Sequence, residues 1–180
     1  MDHETGGYDR SGLACVLADT LSNVNRTGAN LESTIDELRV TPAVVDAMAA
    51  LALTEYPLEA CGLMAGLPGS NLVTAFYPCR NIEQSARIYT IDPRDHLRAE
   101  RDAEDKGLEI RGVMHSHTHS EAYPSSTDVQ AAPDPDWHYL IVTLKREKPE
   151  MRTYRIRREG LDPGAVDEAI TEIPLTIDRF

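Results

Sequence analysis

Two imidazoles two residues apart on an extended chain can hold one ion between them, and His115-Ser116-His117 ends an apolar run through Val113 and Met114. In a strand, side chains at i and i+2 share a face about 6.6 Å apart, so both rings can reach an ion at roughly 2.0–2.1 Å from nitrogen. A zinc site then needs one more protein ligand. Asp128 is the candidate, because Pro124-Ser125 reads as a helix entry that would hold a carboxylate one turn in, in a defined orientation. Three protein ligands leave a fourth position for water, which separates catalytic from structural zinc. Peptide hydrolysis also needs a group that takes the water proton and passes it to the leaving amine. Glu59 precedes the apolar Cys61–Gly66 stretch, where a strand start would present it inward, although spacing alone does not single it out among 30 acidic residues.

Plainer readings compete at each position. His117-Thr118-His119 is a second H-x-H pair, and Ser125 with Asp128 three residues later fits a helix capping box. Cys61 and Cys79 read as small buried hydrophobes and His138, inside a strong strand, as a satisfied sheet residue; His96 and His3 carry no specific reading. A metallo-β-lactamase site requires H-x-H-x-D-H, but His117-Thr-His119-Ser runs into Glu121-Ala122. A cupin would use His115, His117 and Glu121, yet its flanking glycines are replaced by Glu109 and Asp128.

Several elements must position these groups. Alternation from Ile35 to Val40 predicts a first strand, and Thr41-Pro42 an N-cap with proline at the first helical position. The helix should run from Pro42 to about Tyr56, with Val44, Val45, Met48, Leu51 and Ala52 facing the core and Pro57 ending it. Strands are expected near Cys61–Ala65, Leu72–Tyr77 and Arg87–Ile91, then a polar helix from Pro93 to before Gly107. Leu108–His115 should be the strand that carries the histidines. A short helix follows from Ser125, then a strand pair at Trp137–Leu144 and Met151–Ile156, and a last strand over Ile170–Ile177. Mixed strands and helices with several antiparallel pairs indicate an α+β fold. Residues 1–33, net acidic and without lysine, are expected to be a flexible N-terminal extension, the competing reading being a short helix over Leu13–Val24, and residues 34–180 are expected to form one domain.

The 180-residue length suits a single core, and a formal charge of -12 argues against nucleic-acid or anionic-membrane binding, which relies on clustered Lys and Arg. Three cysteines are too few for a disulfide scaffold and too far apart for a thiolate zinc finger, so a reducing cytoplasm is expected. The opening residues lack the basic and apolar regions of a signal peptide, and Ala43–Leu53 is too short to span a bilayer.

The pattern His115-Ser-His117, seven residues, Ser125, two residues, Asp128, with Glu59-Ala-Cys-Gly62 upstream, resembles the JAMM (MPN+) metalloprotease signature from about Val40 to Arg157. Within that family the segments around His115, Glu121, Thr127 and Asp136-Trp-His-Tyr139 are most similar to the bacterial Mec hydrolases. The resemblance implies an MPN fold with a curved mixed sheet. It implies one Zn2+ held by His115, His117 and Asp128, Glu59 as the base, and Ser125 as donor to the oxyanion. Family spacing selects the earlier histidine pair and leaves His119 in a loop; Thr118 stands where many members have proline. The implied partner is a small ubiquitin-like sulfur carrier protein with a C-terminal Gly-Gly, from which cysteine would be released in carrier-dependent cysteine biosynthesis. Trimming of a carrier for another thio-metabolite, cleavage of ubiquitin-like conjugates and a non-catalytic scaffold are the alternatives. Oligomeric state and the residues that would select cysteine are left open.

Overall fold

A computed structural model describes residues 36–162 and 164–178; the expected extension and its helix lie outside the described residues. The elements in chain order are β1 (Leu38–Val40), α1 (Pro42–Glu55), β2 (Cys61–Gly66), β3 (Leu72–Cys79), α2 (Pro93–Asp105), β4 (Glu109–His117), α3 (Ser126–Ala131), β5 (His138–Thr143), β6 (Glu150–Ile156), a 3-10 turn (Asp167–Ala169), β7 (Ile170–Ile173) and β8 (Leu175–Ile177). The eight strands form one sheet in the order β7-β6-β5-β4-β2-β3-β1-β8, which bears out the α+β expectation. β4 and β5 run parallel across the α3 connection, whereas β2 is antiparallel to both β3 and β4.

The last strand departs from the expectation. Residues 170–177 make two strands because Pro174, which has no N–H to continue a ladder, interrupts them. β7 joins one edge of the sheet and β8 the other, so the sheet must curl until its two edges lie one residue apart. Leu38 N–H donates to the Pro174 carbonyl at 2.9 Å, and β8 pairs in parallel with β1.

Both faces of the sheet are covered, and the two-residue period sorts side chains between them. Met64, Phe76, Met114, Leu140 and Val142 pack with Val44, Met48, Leu51 and Ala52 of α1. Cys61, Leu63, Val113, Tyr139 and Ile141 pack on the other face with Ala99 and Ala103 of α2 and Val129 of α3. With Val113 on the α2–α3 face and Met114 on the α1 face, alternation sends His115 and His117 toward α2–α3 and Ser116 toward α1.

One local expectation fails, and another, the Thr41 cap with Pro42 at the first helical position, holds in place but not in its side-chain hydrogen bond. The Arg87–Ile91 strand is absent: the segment is a loop closed by a single bridge between Asn81 and Ile91. Asn81 replaces the ladder, its amide donating to the carbonyls of Glu59 (3.0 Å) and Ile88 (3.1 Å) and its oxygen accepting from Glu83 and Thr90. Thr41 starts α1 without a side-chain cap, and its hydroxyl finds no partner among the described residues; Asp92 does cap α2, accepting from Arg94 N–H at 2.9 Å.

Close packing of β4 on β5 depends on Gly112, since a Cβ there would stand 2.0 Å from the His138 carbonyl oxygen. Gly112→Ala is therefore expected to cost about 2–3 kcal/mol, read as a fall in the urea midpoint at unchanged slope.

Candidate metal centre

The strand period puts the His115 and His117 rings side by side, and the first turn of α3 brings Asp128 against them. Their Nε2 atoms lie 3.1 Å apart; Asp128 Oδ1 is 3.4 Å from Nε2 of His115 and Oδ2 is 3.6 Å from Nε2 of His117. Donor atoms at 2.0–2.1 Å from a tetrahedral zinc stand about 3.3 Å from one another, so the spacing found is that of a ligand set. Among the described residues these three are the one group of His, Cys, Asp or Glu side chains that converges as a metal site would require. All three are buried, His115 at 1% exposure and Asp128 at 8%. The donors fit zinc: two neutral imidazoles and one carboxylate leave room for a fourth ligand.

Tautomer and charge follow from the neighbours. His117 Nδ1 donates to the Glu121 carbonyl at 2.7 Å, which leaves the Nε2 lone pair facing the other donors. Burial alone would raise the Asp128 carboxyl. Hydrogen bonds and charge from His115 and His117, with Ser125, outweigh it and hold the group far below the usual carboxylate range. Burial lowers His115, whose partner Asp128 only partly compensates; at His117 burial is outweighed by Asp128 and the Glu121 carbonyl, and the value rises.

Ser125 forms the capping box with Asp128: Ser125 Oγ accepts from Asp128 N–H at 3.2 Å and Ser125 N–H donates to Oδ2 at 2.6 Å. The box thus aims the carboxylate, and a serine hydroxyl that accepts at its oxygen still has its proton to donate. Glu59 is 5% exposed, just ahead of β2. Burial pushes its carboxyl up to about 7, against the pull of His117 and with the push of Asp128, so it can take and release a proton near neutrality. Its backbone is pinned by its own N–H to the Ser85 carbonyl (2.8 Å) and by Asn81 on its carbonyl.

Two residues that the sequence did not single out complete the frame. Ser116, fully buried between the histidines, accepts from Ala60 N–H at its Oγ (2.8 Å) and donates its own N–H to the Ala60 carbonyl (2.9 Å). Alternation alone could have pointed to its inverted orientation. Tyr89 stacks on the His115 ring at 4.4 Å and 20°, which nothing in the sequence signalled once its segment had been read as a strand.

The plainer readings divide. His119 is exposed and outside the cluster, its Nδ1 2.7 Å from Thr118 Oγ1. Cys61 and Cys79 are buried opposite one another in β2 and β3, and burial raises both thiols, Cys79 to about 12, so they remain protonated. His138 was expected to be satisfied in the sheet and is not: it is fully buried with neither ring nitrogen partnered among the described residues. Burial, with Arg155, lowers it to about 3, and the neutral ring tolerates the site.

Residues 41–157 match the family model of prokaryotic homologs of the JAB domain. The chain is 37% identical over 147 residues to the CysO-cysteine peptidase of Mycobacterium tuberculosis, covering 81% of this chain and 94% of that protein. It is 36% identical over 86 residues to the desampylase of Haloferax volcanii, 47% of this chain and 62% of that one. The solution structure of a Desulfitobacterium hafniense protein superposes with a TM-score of 0.68 at 29% identity, over 79% of this chain and 94% of that one.

Asp128→Ala and His115→Ala should each bring bound zinc well below one per chain after dialysis, measured by elemental analysis. The raised Glu59 value carries a second expectation. The folded chain keeps this proton up to about pH 7, whereas an unshielded glutamate releases it near 4.5, so the ionised form costs stability as pH rises. In metal-free protein, Glu59→Gln should gain on the unaltered chain between those values and level off above them at roughly 3 kcal/mol, read by urea unfolding at several pH values.

Proposed function

The chain belongs to the prokaryotic JAB-domain family, and on that premise we propose that it is a zinc-dependent peptidase acting at the C-terminus of a ubiquitin-like β-grasp sulfur carrier protein. The bond cleaved is the amide that joins a C-terminal Gly-Gly to cysteine, and the product is free cysteine for carrier-dependent cysteine biosynthesis. The observation that carries the reading is the convergence of His115, His117 and Asp128 beside a buried carboxyl, Glu59, whose value lies near neutrality. The length and identity of the match to the mycobacterial CysO-cysteine peptidase support the substrate class.

His115, His117 and Asp128 would hold one Zn2+. When bound, zinc supplies a Lewis acid that polarises the scissile carbonyl and acidifies water. Glu59 accepts the proton from the attacking water and delivers it to the departing amine nitrogen, a transfer its near-neutral value suits in both directions. Ser125 donates its hydroxyl to the oxygen that gains charge as the carbonyl becomes tetrahedral. Asp128 stays ionised throughout because two imidazoles and the Ser125 N–H hold it so.

The similarity to an archaeal desampylase supports a second reading with the same chemistry, cleavage of ubiquitin-like conjugates, and trimming of a carrier for another thio-metabolite would use the same residues. We place the reaction in the cytoplasm, in keeping with two buried, protonated thiols; no helix among the described residues is long and apolar enough to cross a membrane.

Incubating zinc-loaded protein with a carrier–cysteine adduct and following the carrier mass should show loss of one cysteine residue. An uncleaved adduct beside a cleaved isopeptide conjugate would favour the second reading. Glu59→Gln should lower the rate by about 10²–10⁴-fold with zinc retained. Ser125→Ala should lower kcat by roughly 10²-fold with little change in KM.

A further inference from the structure

A histidine that binds metal through one ring nitrogen needs the other fixed, because rotation about its Cβ–Cγ bond is broad and only roughly two-fold. His117 meets this need at the Glu121 carbonyl. His115 does not: its Nδ1 is buried and has no hydrogen-bond partner among the described residues. Its ring is instead in contact with two others. Tyr89 lies nearly parallel to it at 4.4 Å between centroids, and His117 is tilted by 59° at 5.0 Å.

Tyr89 is not delivered by a strand or helix but by the 81–91 loop, and that loop is fastened where it passes the site. Asn81 bridges to Ile91 and holds the Ile88 carbonyl, the Ser85 carbonyl receives Glu59 N–H, and the Ala86 carbonyl receives the Thr118 hydroxyl at 3.3 Å. The ring is therefore presented on a fixed support. A stacked aromatic face restricts exactly the ring rotation that an Nδ1 hydrogen bond would otherwise restrict.

Resting on the metal-centre reading above, we propose that Tyr89 is a positioning residue for the ligand His115, its ring face setting the imidazole plane so that Nε2 points at the ion. The ring and not the hydroxyl does this, so phenylalanine should replace tyrosine and a non-aromatic residue of similar size should not.

The test is zinc affinity, measured by competition with a chromophoric chelator for the unaltered chain, Tyr89→Phe, Tyr89→Met and His115→Ala. Tyr89→Phe should bind within about twofold of the unaltered chain and Tyr89→Met roughly tenfold more weakly. The visible spectrum of the Co2+-loaded proteins should change for Tyr89→Met alone of the two. Equal affinity in Tyr89→Met overturns the inference, and so does a Tyr89→Phe as weak as Tyr89→Met. An unaltered chain that binds no zinc, or His115→Ala that binds it normally, removes the metal-centre reading itself. Should Tyr89→Met fail to fold, the unaltered zinc-loaded chain decides by NMR: the stacked ring should move the His115 ring protons upfield, a displacement kept in Tyr89→Phe, and ordinary positions would overturn the inference.

Discussion

Two hydrogen bonds between Ser116 and Ala60 tie the strand that carries the histidines to the segment that carries Glu59. Ser116 stands between His115 and His117, so the strand period turns it to the opposite face, where Ala60 gives it an N–H and takes one back. Glu59 is the residue before Ala60. The carboxyl and both rings are thus set by one junction between β2 and β4, whose register also places Cys61 opposite His115. A slip of one residue would exchange the faces and send the imidazoles into the apolar layer under α1.

The same site holds two carboxyls in opposite states. Asp128 is buried against two imidazoles and the N–H of its own helix cap, and it stays ionised. Glu59 is buried with its nearest favourable charge offset by Asp128 itself, and it titrates near neutrality. Environment, not residue type, sets the two carboxyls apart, one held ionised and the other pushed up to about 7. The capping box belongs to this division: the reading that made Ser125 and Asp128 a helix start and the reading that made Asp128 a ligand describe the same two hydrogen bonds, because orienting the carboxylate is what the cap accomplishes.

What the sequence made legible follows the strength of local signals. The strand carrying His115 and His117, the proline-initiated helices and the Ser125 cap all rest on periodicities or residue types that act within a few positions. The family spacing then chose between the two histidine pairs, a choice the chain's own pattern left open. Arg87–Ile91 misled because β-branched and aromatic residues are concentrated there as in a strand, whereas Asn81, a side chain ten residues away from Ile91, supplies the hydrogen bonds a neighbouring strand would have given. His138 misled in the other direction. Both faces of β5 are buried, so position in a strand guaranteed it no partner. The break at Pro174 was readable, but its effect on topology was not, since nothing local says that the two halves go to opposite edges.

That break bears on the order in which the molecule can assemble. Pairing β1 with β8 joins segments from near the two ends of the described residues; Arg39 meets Asp178 across 139 residues. β2, β3 and β4, which frame His115 and His117 and follow directly on Glu59, pair with partners far nearer in sequence. Loop-closure entropy and contact order make the nearer pairings the faster ones. The frame that carries His115, His117 and the approach to Glu59 can therefore form while the pairing of β1 with β8 is still open, so the geometry of the centre does not wait for the last strands to dock.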